Sequence, residues 1–349
     1  MIKALALLLP CALVACNPFV SSQEENIVSQ GDGLATQSAV AQGRYRTSAL
    51  FHAQVLLDRA GFSPGVIDGK QGQSFTLALR GFQTARQLSV TGKLDDPTRA
   101  VLLKEQNAVP TLMIRISASF ANGPFVPSLP KDTARQAKLA RLGYRNVMEA
   151  LAERFHTTQE TLLTLNAPTT LIGAGTIIRV PNIGKPDMTG IDPDRPEWRD
   201  TLVSLGVSAM QPMADRIVVD KSDGALRVFD ANDDLIAQFP ATMGSKHDPL
   251  PIGRWKIQGV SYNPTFHYDP KLFWNVSDSK DAALLPPGPN GPVGIVWIDL
   301  SKPHYGIHGT PEPETIGRAE SHGCIRLTNW DAARLAQMVH FDTPAMFQP

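Results

Sequence analysis

One stretch, residues 307–327 (IHGTPEPETIGRAESHGCIRL), decides how the whole chain is interpreted. It contains Cys324, one of only three cysteines in the sequence, together with two histidines. His322 lies two residues before the cysteine, and His308 lies near the start of the stretch. If residues 321–326 are extended, His322 and Cys324 point to the same side, because side chains alternate along a strand. The pattern therefore predicts that three reactive side chains converge on one site.

A cysteine close to a histidine can act as a nucleophile. The attacking species is the thiolate, whereas a thiol with an ordinary pKa of about 8.5 is mostly protonated at neutral pH. An adjacent imidazole that accepts the proton, and that is itself oriented by a third group, removes this obstacle. Gly306, Gly309 and Gly323 flank the reactive residues and let the backbone approach a substrate closely. The backbone N–H groups of Gly323 and Cys324 are candidates for an oxyanion hole, so the stretch indicates an acyl-transfer site.

The spacing alone leaves two alternatives open. The first is a buried, inert cysteine with two incidental histidines. The second is a zinc site in which His308, His322 and Cys324 are three ligands and water is the fourth. The sequence HGC carries no special metal signature, so the residues themselves do not choose between these possibilities and a nucleophile.

The sequence around this stretch, from residue 213 onward, has the pattern of strands. Leu226 and Val228 alternate with polar neighbours, as expected for a strand with one buried face. An Asp-Gly pair at 223–224 predicts a hairpin turn, and an Asn-Asp pair at 232–233 predicts a second turn. We therefore assign residues 213–349 to a β-rich domain.

Residues 47–106 have helical periodicity interrupted by Gly-rich turns. Phe75, Leu79 and Phe82 fall on one face of the second predicted helix, and Asp96 is predicted to be the N-cap of the third. The segment is thus predicted to be a small three-helix bundle. It resembles the peptidoglycan-binding domain of bacterial wall enzymes, and the alternative is an unrelated three-helix module. The resemblance rests on the pattern Gly61-Phe62, Pro64-Gly65, Asp68-Gly69, Phe82-Gln83, Thr91-Gly92 and Asp95.

A Pro-containing segment, residues 107–132, is predicted to be a linker to a second helical module at residues 133–183. Thr157 and Glu160 have the spacing of a capping box before an apolar run, and a closing strand follows two helices. The module resembles a LysM-type glycan-binding module. It lacks the usual Gly-Asp pair before the first helix, so glycan binding and a purely structural spacer remain equal alternatives.

The N-terminus has the composition of a secretory signal. Lys3 is followed by an apolar run that is too short to span a bilayer core, which needs about 20 residues. The sequence LVAC ending at Cys16 resembles the lipobox of bacterial lipoproteins, and the alternative is an ordinary signal peptide with a chance cysteine. With a lipobox, residues 1–16 comprise the signal and the lipidated cysteine, and Cys11 is removed. Cys324 is then left outside any intrachain disulfide.

Composition limits the remaining possibilities. A chain of 349 residues with 42% hydrophobic content is long and apolar enough for a globular protein of two or three domains. Residues 17–46, rich in Ser, Gln, Gly and Ala, are predicted to be a flexible tether. Lys plus Arg and Asp plus Glu both number 33, so the formal net charge is zero. Bulk electrostatics therefore give no reason to expect a nucleic acid as partner.

Residues 215–347 resemble the L,D-transpeptidase (YkuD-type) catalytic domain of bacterial cell-wall enzymes. The motif IHGT followed by SHGCIRL is the signature of that family, and the sequence TMGSKHDPLPIGRW is similar to its strand and turn that enter the site. The resemblance implies that Cys324 is the nucleophile, that His308 is the general base and acid, and that the Gly309 carbonyl orients His308. It further implies that other motif residues shape the pocket and bind substrate. These are His322, Arg326, Ser321, Gly323 and Tyr305.

The predicted fold class is therefore a multidomain α+β protein. It has a three-helix N-terminal bundle, a LysM-like α/β module and a β-rich L,D-transpeptidase catalytic domain. The resemblance implies a two-step exchange on peptidoglycan, without metal or organic cofactor, and acylation by carbapenems. Cys324 attacks the carbonyl of the third stem residue, a diamino acid, and releases the terminal D-alanine. An amine then resolves the acyl-enzyme.

The acceptor in the second step is left open by the sequence. The amine of another stem gives a 3-3 cross-link, the lysine of an outer-membrane lipoprotein gives envelope tethering, and water gives hydrolysis. The alternatives to a transpeptidase are a thiol peptidase that trims stems and a non-catalytic wall-binding lipoprotein. The lipobox predicts a periplasmic protein anchored to a membrane by lipid.

Overall fold

The structure is a computed structural model that describes residues 47–272, 281–318 and 323–349. Within these ranges, no helix has both the length and the apolar character needed to cross a bilayer. The helices are α1 (Ala49–Arg59), α2 (Gln73–Ala85), α3 (Asp96–Gln106), α4 (Ala118–Asn122), α5 (Thr133–Gln136), α6 (Val147–Arg154), α7 (Gln159–Leu165), α8 (Pro196–Leu205) and α9 (Asn329–Met338).

The strands of the described residues form one large sheet and two small ones. They are β1 (Thr111–Arg115), β2 (Ile177–Pro181), β3 (Arg216–Asp220), β4 (Ala225–Phe229), β5 (Leu235–Pro240), β6 (Thr242–Met243), β7 (Gly253–Tyr262), β8 (Phe266–Tyr268), β9 (Ala283–Leu285), β10 (Val296–Leu300), β11 (Gly306–His308), β12 (Ile325–Arg326) and β13 (Pro344–Gln348). Short 3-10 turns occur at Pro270–Leu272 and Pro313–Thr315.

Helices α1 to α3 form the predicted N-terminal bundle. Phe75, Leu79 and Phe82 are all nearly inaccessible to solvent, as their helical spacing predicted. The predicted N-cap of α3 was wrong by one residue, because the side chain of Asp95, not Asp96, accepts the Thr98 N–H at 3.0 Å. Aspartate is a favoured N-cap residue, so the residue type alone does not distinguish Asp95 from Asp96. The position at which the preceding turn ends determines which of them is the N-cap.

The LysM-like module has β1 and β2 paired antiparallel, and the helices α4, α5, α6 and α7 lie between them in the chain. Strand β1 falls in residues 107–132, which the sequence analysis treated as a linker. It pairs with β2 because Ile114 and Ile178 both pack into the core of the module. The predicted capping box is also displaced, since the N-cap of α7 is Thr158, whose hydroxyl accepts the Thr161 N–H.

The catalytic domain is built on a nine-stranded sheet with the order β5-β4-β3-β13-β7-β10-β11-β12-β6. The predicted hairpins at 223–224 and 232–233 are confirmed, since β3 pairs with β4 and β4 pairs with β5, both antiparallel. Leu226 and Val228 are fully buried in the main core, which also contains Trp330 of α9. Helix α9 therefore packs directly against the sheet that carries the site.

Strand β13 occupies the centre of this sheet. It pairs parallel with β3 on one side and antiparallel with β7 on the other. The sequence analysis assigned no partner to this short strand. Ala345 and Phe347 point into the main core and are almost completely buried, which explains why so short a segment can hold a central position.

The three modules pack against each other through polar contacts as well as apolar ones. Gln238 of β5 donates to the Leu77 carbonyl of α2 at 2.6 Å, and its side chain leaves no room for a Cβ at Gly81. Ser63 of the N-terminal bundle donates to Asp331 of α9 at 2.7 Å, in a fully buried position. These contacts place side chains of one module inside the packing of another.

A buried set of charged residues lies where all three modules meet. Asp58 of α1 accepts two hydrogen bonds from Arg334 of α9, at 3.0 and 2.9 Å. The Nδ1 atom of His156, in the LysM-like module, lies 3.0 Å from the same carboxylate, and its Nε2 atom lies 2.9 Å from the Leu205 carbonyl. We call Asp58, His156, Asp331 and Arg334 the junction cluster.

Charge balance explains how the junction cluster tolerates burial. Both ring nitrogens of His156 face groups that only accept hydrogen bonds, a carboxylate at Nδ1 and a carbonyl at Nε2. Burial alone would raise the pKa of Asp58, but the charges of Arg334 and His156 outweigh it and lower the pKa below its ordinary value. Burial raises the pKa of Asp331 to about 6. The guanidinium of Arg334 thus contacts the carboxyl groups of both Asp58 and Asp331.

Candidate active site

The site lies where β11 and β12 run parallel. His308 is in register with Arg326, and Ile307 is in register with Ile325. Cys324 directly precedes β12, and side chains two residues apart on a strand point to the same face. The register therefore places Cys324, His308 and Arg326 on one face of the sheet.

The turn segment that was expected to enter the site does reach it. Strand β6, which begins the sequence TMGSKHDPLPIGRW, pairs antiparallel with β12 on the side opposite β11. Met243 is in register with Ile325, and Thr242 is in register with Arg326. The strand that follows the cysteine is thus held between two neighbours, which fixes its position.

His308 is 5% exposed and has a defined tautomer. Its Nδ1 atom lies 2.7 Å from the Gly309 carbonyl, which only accepts, so Nδ1 carries the proton and Nε2 has a lone pair. Burial, reinforced by the charge of Arg326, lowers the pKa of His308 to about 4 against the opposing effect of the Gly309 hydrogen bond. The ring stacks on Trp297 with centroids 5.6 Å apart. His308 is therefore a neutral imidazole, ready to accept a proton, at any pH well above 4.

Cys324 is a protonated thiol in the same conditions. Its Sγ atom lies 3.9 Å from the His304 carbonyl, to which only a thiol with its proton can donate. Burial raises the pKa of Cys324 above its ordinary value, while the Gly306 N–H group and the charge of Arg326 act in the opposite direction. The resting site thus contains a neutral thiol and a neutral imidazole, not an ion pair.

Arg326 supplies positive charge next to both reactive groups. Its Nε atom is buried and has no hydrogen-bond partner among the residues that the structure describes. Burial lowers the pKa of Arg326, whereas the thiolate form of Cys324 and the carboxylate of Glu312 raise it. A buried donor with no protein partner is costly, so it is suited to a substrate oxygen.

Gly323 and Tyr305 form the wall beside the cysteine. Gly323 has a φ of +94°, and a Cβ there would lie 2.7 Å from Cε1 of Tyr305. Only glycine fits this position, for reasons of both conformation and space. Burial and the negative charges of Cys324 and Asp248 raise the pKa of Tyr305, so its hydroxyl keeps its proton as a hydrogen-bond donor.

Two predicted site residues, Ser321 and His322, lie outside the described residues, as does Cys16. Their assigned roles stay predictions. Across residues 47–272, 281–318 and 323–349, no group of three or more His, Cys, Asp or Glu side chains could hold a metal ion.

Sequence reasoning missed several residues that touch the reactive groups. Trp297 stacks on His308, and the His304 carbonyl accepts from Cys324. Asn329, the first residue of α9, has its Oδ1 atom 2.1 Å from the position of a Cβ at Gly309. Trp297 lies opposite His308 because β10 pairs with β11. The residues next to Trp297 in the sequence do not predict this pairing. Asn329 follows an N-cap threonine, so the start of α9 could be predicted from the sequence. The contact of Asn329 with Gly309 could not.

Comparison with known families assigns the same two regions. Residues 214–346 match the model of the YkuD family, described as "L,D-transpeptidase catalytic domain". Residues 46–102 match the model described as "Putative peptidoglycan binding domain". Both resemblances drawn from the sequence motifs are therefore confirmed.

Curated relatives carry the same family name. A Bacillus licheniformis protein named "Putative L,D-transpeptidase YkuD" is 29% identical over 204 residues, which is 58% of this chain and 93% of that protein. A Fuscovulum blasticum protein named "Putative L,D-transpeptidase in ATP synthase subunits region ORF 5" is 33% identical over 40% of this chain and 69% of its own length. A solved "L,D-transpeptidase from Mycobacterium smegmatis" is 22% identical with a TM-score of 0.32, over 38% of this chain and 58% of that one.

The β-rich domain with its SHGCIRL motif, preceded by a peptidoglycan-binding module, defines the class as a bacterial wall enzyme of the transpeptidase type. The chain belongs to the L,D-transpeptidase family, as its identity to the Fuscovulum blasticum relative over most of that protein shows.

Proposed function

We propose that this protein is a peptidoglycan L,D-transpeptidase in which Cys324 is the nucleophile and His308 is the general base and acid. The observation that carries the proposal is the 2.7 Å contact between His308 Nδ1 and the Gly309 carbonyl. It leaves Nε2 as the proton acceptor on the face of the sheet that carries the thiol. The low pKa of His308 keeps this acceptor unprotonated at the pH of the cell envelope.

The first chemical step forms a thioester. His308 Nε2 takes the thiol proton, and the sulfur of Cys324 attacks the carbonyl carbon of the third stem residue, a diamino acid. The bond from this carbon to the nitrogen of the terminal D-alanine breaks, and the departing amine takes the proton back from His308. The acyl group is then held on Cys324 and one D-alanine has been released.

The second step returns the thiol. The acceptor amine attacks the thioester carbon, His308 removes a proton from that amine, and the sulfur leaves and regains the proton. The acceptor is the side-chain amine of another stem, giving a 3-3 cross-link, or the lysine of an outer-membrane lipoprotein. The peptidoglycan-binding module supports a wall polymer as the substrate.

Electrostatics at the site favour these steps. The charge of Arg326 lowers the pKa values of both Cys324 and His308, so it stabilises the thiolate and the neutral imidazole together. The backbone N–H groups of Gly323 and Cys324 are proposed to bind the oxyanion of the tetrahedral intermediate. The unpartnered Nε of Arg326 is proposed to bind an oxygen of the donor stem.

The test is incubation of the purified protein with peptidoglycan fragments that carry tetrapeptide stems, followed by separation of the products. We expect release of D-alanine together with 3-3 linked dimers, and no product from Cys324→Ala. D-alanine without dimers would assign water as the acceptor and a hydrolase in place of a transferase. Chelation should leave the activity intact, because the thiol needs no metal.

Two results would contradict the proposal. One is a folded wild-type protein that releases no D-alanine and forms no dimer. The other is activity that chelation abolishes and zinc restores, with one zinc bound per chain, which would make Cys324 a ligand.

We also propose that the protein is held at a membrane in the bacterial envelope by lipid on Cys16. The proposal rests on the LVAC sequence and the short apolar run before it. Stable anchoring needs more than one acyl chain, so we expect a multiply acylated N-terminus. The wild type should fractionate with membranes, and Cys16→Ala should be soluble or misprocessed. Recovery of the wild type in the soluble fraction with an unmodified N-terminus would rule out the anchor.

A further inference from the structure

The backbone of Gly309, whose carbonyl contacts His308, packs against the side chain of Asn329. An added Cβ at Gly309 would lie 2.1 Å from Asn329 Oδ1, and one at Gly294 would lie 2.0 Å from the same atom. The amide oxygen thus packs directly against the backbone of both glycines. Asn329 is completely buried, so its contacts are not exchanged with solvent.

The orientation of this amide is determined by its partners. Asn329 Oδ1 accepts the Ile295 N–H at 3.3 Å, and Nδ2 donates to the Pro289 carbonyl at 3.1 Å. Rotating the amide by half a turn would place Nδ2 against the N–H of Ile295 and Oδ1 against the Pro289 carbonyl. Both contacts would then be repulsive, so a single orientation is allowed.

The shortest hydrogen bond of the Asn329 side chain crosses to another module. Nδ2 donates to Oε1 of Glu153 at 2.7 Å, and Glu153 belongs to α6 of the LysM-like module. The other carboxylate oxygen, Oε2, accepts the Tyr144 hydroxyl at 2.6 Å. Glu153 is only 6% exposed, and both of its oxygens are therefore used as acceptors of specific donors.

We propose that Glu153 is a positioning residue for catalysis, which acts through Asn329 to hold the Gly309 carbonyl in place for His308. This inference rests on the proposed function of His308. It assigns the LysM-like module a part in the chemistry, separate from any binding of glycan. The contacts run without a gap from the Glu153 carboxylate to the Asn329 amide, from there to the Gly309 backbone, and from the Gly309 carbonyl to His308 Nδ1.

The burial of Glu153 fits such a role. Burial raises its pKa to about 7, against the hydrogen bonds from Tyr144 and Asn329, and no cation is among the groups that act on it. A carboxylate held by two neutral donors is expensive to bury, and carboxylates in this situation cluster at functional sites. The neighbouring Glu149 contrasts with it, because it pairs with the Arg145 guanidinium at 2.8 Å.

The test compares matched variants of the whole protein. Glu153→Leu removes the acceptor, and Glu153→Gln keeps an amide oxygen for Asn329. Asn329→Asp places two carboxylates together and turns an oxygen toward the Pro289 carbonyl. The double variant Glu153→Gln/Asn329→Asp removes the first repulsion, with donor and acceptor exchanged, and keeps the second. Glu149→Gln is the control, because Glu149 also accepts from the catalytic domain, at Asn290, without contacting Asn329.

Three measurements are made on each variant: the rate of acylation by a carbapenem at saturating concentration, the tautomer of His308 by ¹⁵N NMR, and thermal unfolding. A misplaced catalytic group can cost roughly 10²-fold, so we expect Glu153→Leu and Asn329→Asp to lose between about 10- and 100-fold in rate. Both should also populate the Nε2–H tautomer of His308. Glu153→Gln should keep most of the rate, the double variant should be faster than Asn329→Asp alone, and Glu149→Gln should match the wild type.

The inference is overturned by either of two results. One is a folded Glu153→Leu protein that acylates at the wild-type rate. The other is loss of rate in Glu153→Leu and Asn329→Asp with His308 still in the Nδ1–H tautomer, which would indicate general damage. If the wild type itself is not acylated, the proposed function fails, and the NMR tautomers still decide the role of Glu153.

Discussion

Replacing His308 by alanine is expected to slow acylation of Cys324 by roughly 10² to 10⁴, the usual loss when a positioned base is removed. The variant lacks the proton acceptor that we assign to the thiol, and burial raises the pKa of the thiol above its ordinary value. The rate should therefore recover partly as the pH rises toward the pKa of the thiol. The measurement is intact-mass kinetics of carbapenem adduct formation, with Cys324→Ala as the variant that forms no adduct.

The pH profile of the wild type provides a sharper test of the same assignment. A general base works only when unprotonated, so the rate should fall as the pH drops through the pKa of His308, which is about 4. An imidazole in water would lose activity near pH 6.5 instead. His322→Ala should cost less than His308→Ala, since its predicted part is to shape the pocket. If His322→Ala is slow and His308→Ala is as fast as the wild type at pH 7, the base is His322.

The second large effect concerns stability and the junction cluster. Asp58→Ala leaves the guanidinium of Arg334 and the ring of His156 buried without the carboxylate that both contact. Breaking a buried ion pair from one side costs about 3 to 5 kcal/mol, and we expect a loss of this size in the free energy of unfolding. The control is Asp342→Ala, because the Lys256–Asp342 pair is more than half exposed and should contribute less than about 1 kcal/mol.

Urea unfolding of the two variants, followed by circular dichroism, measures both values. The folded-state pKa of Asp58 is lowered, so its stabilisation is present above its ordinary pKa and is lost only as the pH falls through the lower, folded-state value. The difference between wild type and Asp58→Ala should therefore persist at pH 5. Equal losses in the free energy of unfolding of the two variants at neutral pH would show that the junction cluster stabilises the fold no more than an exposed ion pair does.

The sequence predicted the parts of the structure that depend on near neighbours. The helical face of Phe75, Leu79 and Phe82 and the hairpin at 223–224 are local patterns, and the structure has both. The grouping of His308 with Cys324 was predictable because a short motif contains both residues and the strands that hold them lie side by side.

The parts that could not be predicted depend on contacts between distant segments. Strand β1 was assigned to a linker because its five residues have a strand pattern only once β2 lies beside them. Glu153 and Asn329 lie in different modules, and nothing in either local sequence indicates that they meet. The same holds for the junction cluster. Judged from its sequence neighbours alone, each of its four residues would be expected at an exposed position in a helix or turn.

The central position of β13 has a consequence for how the enzyme is made. Without β13, the strands β5-β4-β3 and the strands from β7 to β6 are two separate sheets. Its pairing with β3 joins segments about 128 residues apart, as the contact between Gln348 and Asp220 illustrates. Pairing over such separations is slow, because chain closure must precede any gain from the contact. We therefore expect the complete sheet, and with it a working thiol, to form in one late, cooperative step of folding.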